Sequence, residues 1–339
     1  MRMAGIRVCF LGLLGLLAGW AAAQQATPAT SVPSEEKAVP AEVSPGAQVP
    51  RSQNSMSEDQ QGGFVFRRQV QEVVLRATVV DESRHLETHL DRDAFRVLQD
   101  GRPQTITSFH REDTPVAIGV LIDNSGSMLE ERAEINRAVL NLIRASNPAD
   151  EVFIVNFGEK AYLDQDFTSD IHLLEQALRK TSTQGSTALY DTVVASATHL
   201  KTNSRFEKRM LLVITDGDDN MSQQSLQESI RHLQDKDAPA LYAIGLMGIN
   251  GQSRGADALR RLATATGGSA FFPQNLDQVT KISEDLAHDI RCQYTIAYRP
   301  QDENASASYH PIEVQAQAPG YGKLTVRTRN GYYAGETVR

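Results

Sequence analysis

Asp123, Ser125 and Ser127 alternate along one short stretch, with Gly126 between the two serines. A carboxylate and two hydroxyls are the small, hard oxygen donors that suit a divalent cation such as Mg²⁺, which keeps several waters and needs only one or two protein acids. Alternate side chains of an extended loop point the same way, and the glycine lets the backbone bend so that three oxygens can converge. The same residue types serve as ordinary turn and helix N-cap residues, so the triplet alone leaves both readings open.

The elements that position these groups are legible around them. Val116 to Ile122 is an apolar, largely β-branched run that ends abruptly at Asp123, the pattern of a buried central strand delivering ligands at its carboxyl end. A second such run, Met210 to Thr215, ends in Asp216-Gly217. Between them, Gly185-Ser186-Thr187 places a hydroxyl where an apolar helical pattern of Leu189, Val193, Val194, Ala197 and Leu200 begins. In an open α/β sheet, sites form outside the carboxyl ends of parallel strands where the strand order reverses. Three distant segments are thus expected to aim oxygens at one crevice.

In this order and these contexts, the three stretches resemble the metal-ion-dependent adhesion site (MIDAS) of the von Willebrand factor type A (VWA) domain. The family's Asp-x-Ser-x-Ser falls on Asp123, Ser125 and Ser127, its threonine on Thr187 and its later aspartate on Asp216. The resemblance implies a doubly wound, mostly parallel, Rossmann-like sheet of order 3-2-1-4-5-6. It also implies Mg²⁺ or Mn²⁺ held directly by the hydroxyls and partly through water by the acids, with an acidic residue of a protein partner completing the coordination.

The rest of the chain sets the context. Arg2 and Arg7, an apolar run from Val8 to Ala18 and Ala21-Ala22-Ala23 form the pattern of a secretory signal peptide over 1–23, with cleavage expected after Ala23. Export to the periplasm or the extracellular space follows, with no span in the mature chain. Cys292 is then the one cysteine left, and its place before a strand pattern suggests a buried small hydrophobe. The chain carries 42 acidic against 34 basic residues, a balance that disfavours nucleic-acid or anionic-membrane binding. Residues 24–62 are rich in Pro, Ala and Ser with almost no large apolar side chains, which reads as a disordered spacer.

Strand patterns fill 63–112 and 291–339, on either side of a 113–290 VWA domain in which strands and helices alternate. Asp100-Gly101 signals a hairpin between Ala94–Leu98 and Thr105–Thr107. Each flanking segment is too small to stand alone, so together they are expected to form one all-β, sandwich-like unit into which the α/β domain is inserted. His85 and His89 sit in turn-like surroundings and read as surface histidines. Asp218 and Asp219 crowd Asp216 but lie outside the shared motif, and are expected to cap the helix that follows.

The leading functional reading is an exported binding module, not an enzyme, that takes a protein partner through a divalent cation. The alternatives are a metal-assisted hydrolase and a structural envelope scaffold binding without metal. Against the hydrolase, the sequence has no G-x-S-x-G around a serine, no histidine near the three site segments in sequence and no second carboxylate cluster for a two-metal centre.

Overall fold

The computed structural model describes residues 57–58, 64–65, 72–111, 113–128, 131–180, 185–216, 218–246, 254–300 and 308–334. The expected leader and nearly all of the expected spacer lie outside these residues, as do the side chains of Ser127, Arg254 and Leu276. The chain divides into two units, Met1–Arg67 and Arg68–Arg339. In the first, β1 (Ser57–Glu58) pairs antiparallel with β2 (Phe64–Val65), so two residues of the segment read as spacer take part in a strand pair.

The second unit begins with four strands, β3 (Val73–Val80), β4 (Phe95–Gln99), β5 (Arg102–Gln104) and β6 (Ile106–His110). A six-stranded sheet follows, made of β7 (Ala117–Asp123), β8 (Glu151–Phe157), β9 (Ala161–Thr168), β10 (Arg209–Thr215), β11 (Ala240–Gly245) and β12 (Ala270–Phe271). Six helices connect or flank these strands: α1 (Arg132–Ala145), α2 (Ile171–Leu178), α3 (Leu189–Asn203), α4 (Leu226–Leu233), α5 (Arg254–Thr266) and α6 (Leu276–Arg291). The chain closes with β13 (Tyr294–Tyr298), β14 (Tyr309–Ala316), β15 (Thr325–Arg327) and β16 (Gly331–Tyr333).

The six-stranded sheet runs β12-β11-β10-β7-β8-β9, parallel except for the edge strand β9. This is the expected order 3-2-1-4-5-6 read from the other edge, with the switch between β7 and β10. Every residue of β7 is buried because helices cover both faces. Val116, Ile118, Val120 and Ile122 pack with α1, α2 and α6, while Ala117 and Leu121 face α3, α4 and α5. Gly119 is required on that second face: a Cβ there would lie 2.4 Å from Phe153 Cζ and 2.7 Å from Leu211 Cδ2. The α1 stripe of Ile135, Ala138, Val139 and Leu142 is the helical periodicity of the sequence made into a core face.

The flanking segments form two four-stranded sheets, β15-β3-β13-β6 and β16-β14-β4-β5, each mixing strands from both ends of the unit. β13 pairs with β3 and β6, and β14 pairs with β4. Leu75, Val97, Tyr294, Ile296 and Ile312 share one core between them. The sandwich-like unit is therefore built jointly by N- and C-terminal segments, and neither could complete it alone.

Three local expectations are corrected. Asp100 and Gly101 do turn a hairpin, with φ of 53° and 72°, the left-handed pair a tight two-residue turn needs. Its second strand, however, is Arg102–Gln104, and Ile106 onward crosses into the other sheet to pair with β13. Cys292 is half-exposed, because it is the C-cap where α6 reaches the surface, and its Sγ lies 3.6 Å from His288 Nδ1. Nor do Asp218 and Asp219 cap α4: Ser225 and Glu228 supply a reciprocal capping box there, leaving those acids for other helices. His85 and His89 are exposed, as expected.

Candidate metal-ion adhesion site

The carboxyl ends of β7 and β10 meet at the switch point. Asp123, the last residue of β7, is fully buried. Its Oδ1 accepts the Ser125 backbone N–H at 2.8 Å, and its Oδ2 accepts the Thr215 hydroxyl at 2.6 Å. The first bond folds the strand end back on itself and fixes Ser125, which is also buried. The 3₁₀ turn Gly126–Met128 follows, closed by Met128 N–H on the Ser125 carbonyl at 3.0 Å, and it carries the backbone of Ser127. Asp216 comes directly after β10 and is half-buried.

Thr187 is buried on the loop before α3. That loop is clamped to the segment after Asp216. Thr187 N–H donates to Asn220 Oδ1 at 2.8 Å, while the Thr187 carbonyl accepts Asn220 N–H at 3.0 Å and Met221 N–H at 3.2 Å. The two crowding acids secure the same region. Asp219 Oδ2 accepts Tyr190 N–H at 3.1 Å in the first turn of α3, and Asp218 Oδ1 accepts Gly255 N–H at 3.0 Å in the first turn of α5. They are caps, as their residue type suggests, but of helices distant in sequence. Asp191 ties the loop from the other side, accepting Gln223 and Gln224 N–H at 2.9 and 3.0 Å.

Two acids, Asp123 and Asp216, and one buried cation, Arg132, share this end of the sheet. Burial pushes the Asp123 carboxyl above its ordinary value, the hydrogen bonds from Thr215 and Ser125 oppose that rise, and the charge of Asp216 adds to it. Arg132, at the start of α1, is a buried cation in electrostatic range of Asp123, but its guanidinium donates to the side-chain oxygens of Asn124 and Asn156 and to the Leu178 carbonyl. Burial lowers it to about 10, with Asp164 and Asp123 acting to raise it, so it stays charged at neutral pH. Asn156 in turn donates to Asp164 at 2.6 Å.

The donor set is all hard oxygen, with two acids and a majority of hydroxyls. Among the described residues no cluster of three or more His, Cys, Asp or Glu side chains forms a metal cage. A buried carboxylate held by neutral donors beside a second acid is a site where an added cation would lower the electrostatic cost, and the residues fit Mg²⁺ or Mn²⁺ on that ground.

Sequence reasoning did not find Thr215, Asn220 or Arg132. Thr215 was in plain view as the residue before Asp216. Arg132 had a signal as well, since it lies three residues before Ile135 on the buried stripe of α1.

A doubly wound sheet with an oxygen-lined site at its switch point defines a class of ligand-binding α/β domain. Residues 118–218 match the von Willebrand factor type A domain. VWA domains are typically protein-interaction modules without enzymatic activity, and many hold a divalent metal at their MIDAS. Conserved hypothetical protein BatB from Bacteroides thetaiotaomicron is 16% identical over 51% of this chain and 98% of its own, with a TM-score of 0.42. A von Willebrand factor type A protein from Catenulispora acidiphila is 12% identical over 80% of this chain and 75% of its own, with a TM-score of 0.48. Proximal thread matrix protein 1 from the mussel byssus, in a structure with a zinc-occupied MIDAS motif, is 18% identical over 57% of this chain and 50% of its own, with a TM-score of 0.45. No curated protein matches the sequence. Among the described residues, no helix is long and apolar enough to cross a membrane.

Proposed function

We propose that this chain is an exported binding module that engages a protein partner through a divalent cation at the carboxyl ends of β7 and β10. Ser125, Ser127 and Thr187 are the direct ligands; Asp123 and Asp216 orient waters and balance charge. When bound, Mg²⁺ or Mn²⁺ would supply an open coordination position for a carboxylate of the partner. The observation that carries this reading is the Asp123 carboxylate, buried at the strand end, fixed by two neutral donors and opposed by Asp216. With few protein anions in the set, the bound ion keeps enough positive character to hold an incoming acid. Export rests on the leader pattern over 1–23 and adhesion on the open position.

Affinity capture with immobilised mature protein, in Mg²⁺ and in chelator, tests this directly. Partner binding that disappears in chelator and in a Thr187→Ala variant supports the proposal. Capture indifferent to both would make the chain a scaffold that binds without metal.

A further inference from the structure

We propose that the cavity at the opposite end of the sheet, between the α/β domain and the sandwich-like unit, binds a small multivalent oxyanion. It occupies about 460 Å³ at the amino ends of β7, β10 and β11, a volume typical of small-molecule sites. This inference is independent of the metal site, which lies at the other ends of the same strands.

Charge and burial carry the argument. Arg76, Lys201, Lys208, Arg209, Lys236 and Arg329 line the cavity, a concentration of cations that contrasts with the acidic balance of the whole chain. Two of them, Lys208 and Arg329, are buried. Four spend their described hydrogen bonds on neutral oxygens. Lys208 Nζ donates to the Ile290 carbonyl at 2.6 Å. Arg76 donates to the Thr295 hydroxyl, and Arg209 to the carbonyls of Phe206 and Asp237. Arg329 donates to the carbonyls of Asp235, Lys236 and Ala238. Buried cations whose hydrogen bonds go to neutral oxygens are costly even with Asp235 and Asp237 in electrostatic range of Arg329 and Glu207 in range of Arg76, and a cavity beside them offers room for a further anion.

The acids around the cavity offset this charge only in part: Asp235 pairs with Lys201 at 2.8 Å, Asp235 and Asp237 act on Arg329, and Glu207 acts on Arg76. Glu72 is engaged by Arg299 at 3.1 Å, while Glu207 and Asp237 are exposed. Asp113 and Asp150, whose charges favour protonation of Lys208, are occupied elsewhere: Asp113 pairs with Arg291 at 2.7 Å, and Asp150 accepts Val116 and Asn147 N–H. Arg76 and the Lys208 ammonium repel each other, and burial holds Lys208 down at about 8. An anion between them would relieve both effects. Guanidinium forks and an ammonium together suit phosphoryl or carboxylate oxygens. Because Arg76 and Arg329 come from the sandwich-like unit and Lys208 and Arg209 from the α/β domain, the ligand would bridge the two.

The test is calorimetric titration of metal-stripped, chelator-free protein with inorganic pyrophosphate and, separately, with citrate, at pH 7. Saturable binding of either probe is expected, weakened about tenfold or more by Lys208→Met and by Arg76→Gln. Arg137→Gln, which removes an exposed cation on α1, should change nothing. Tighter pyrophosphate than citrate would assign a phosphate ester, and the reverse a polycarboxylate. Lys208→Met lies in a buried position, so its thermal midpoint is measured alongside and Arg76→Gln serves as the second variant. No saturable binding of either probe, or equal binding in the wild type and in folded variants, would overturn the proposal.

Discussion

The Thr215 hydroxyl donates to Asp123 Oδ2 across 2.6 Å, joining the ends of the two central strands where the sheet reverses its order. The bond aims the carboxylate and leaves its other oxygen for the Ser125 N–H, so a residue outside the five-position motif sets the geometry of one inside it. Thr215→Val keeps the shape and removes the donor. It should cost about 1–3 kcal/mol in urea unfolding and weaken Mn²⁺ binding about tenfold or more. Thr215→Ser should restore most of both.

Asp219 caps α3 and accepts Ser222 Oγ at 2.5 Å, holding the segment after Asp216 against the Thr187 loop. Asp219→Ala should lose about 1 kcal/mol, the ordinary worth of a cap. Hydrogen exchange should show the added opening at Thr187 to Tyr190, with the sandwich-like unit unaffected.

Arg132 satisfies Asn124 and Asn156 at once in a buried network beneath the site. Arg132→Met leaves both amide oxygens without their donor and should destabilise by about 2–4 kcal/mol in chemical denaturation. Since Asn124 adjoins Asp123, metal binding should weaken with it.

Lys208 gives a pH signature with a definite sign. Its folded pKa, about 8, lies below the ordinary lysine value, so the cost of burying its charge is fully present below pH 8. As pH rises toward 10 the folded chain releases the proton while the unfolded chain keeps it, and stability from this group rises. Lys208→Met removes that cost together with the hydrogen bond to the Ile290 carbonyl, so in the absence of anions its stability relative to wild type should be greater at pH 7 than at higher pH. That relative stability should fall by pH 9.5, as measured by denaturant midpoints at the two pH values.

The sheet was legible because its strands are buried on both faces, so β7 and β10 read as apolar runs ending at Asp123 and at Thr215-Asp216, and β8 and β11 as largely apolar runs between helical patterns. The order of the sheet came from the family resemblance. What escaped were contacts between segments far apart in sequence. Asp218 and Asp219 were assigned to the next helix because capping is a local pattern, whereas their actual partners, Gly255 and Tyr190, lie 37 and 29 residues away. The cavity cations were equally hidden. Arg76, Lys208 and Arg329 are ordinary charged residues in sequence and converge only when the two flanking segments close into one unit.

The central claim is that Asp123, Ser125, Ser127, Thr187 and Asp216 hold a divalent cation. Calorimetric titration of the protein with Mg²⁺ and Mn²⁺, beside Asp123→Ala and the Ser125→Ala/Ser127→Ala double variant, tests it most directly. Saturable binding in the wild type that is lost in both variants is the predicted result. Identical binding in all three proteins, or none in a folded wild type, would contradict it.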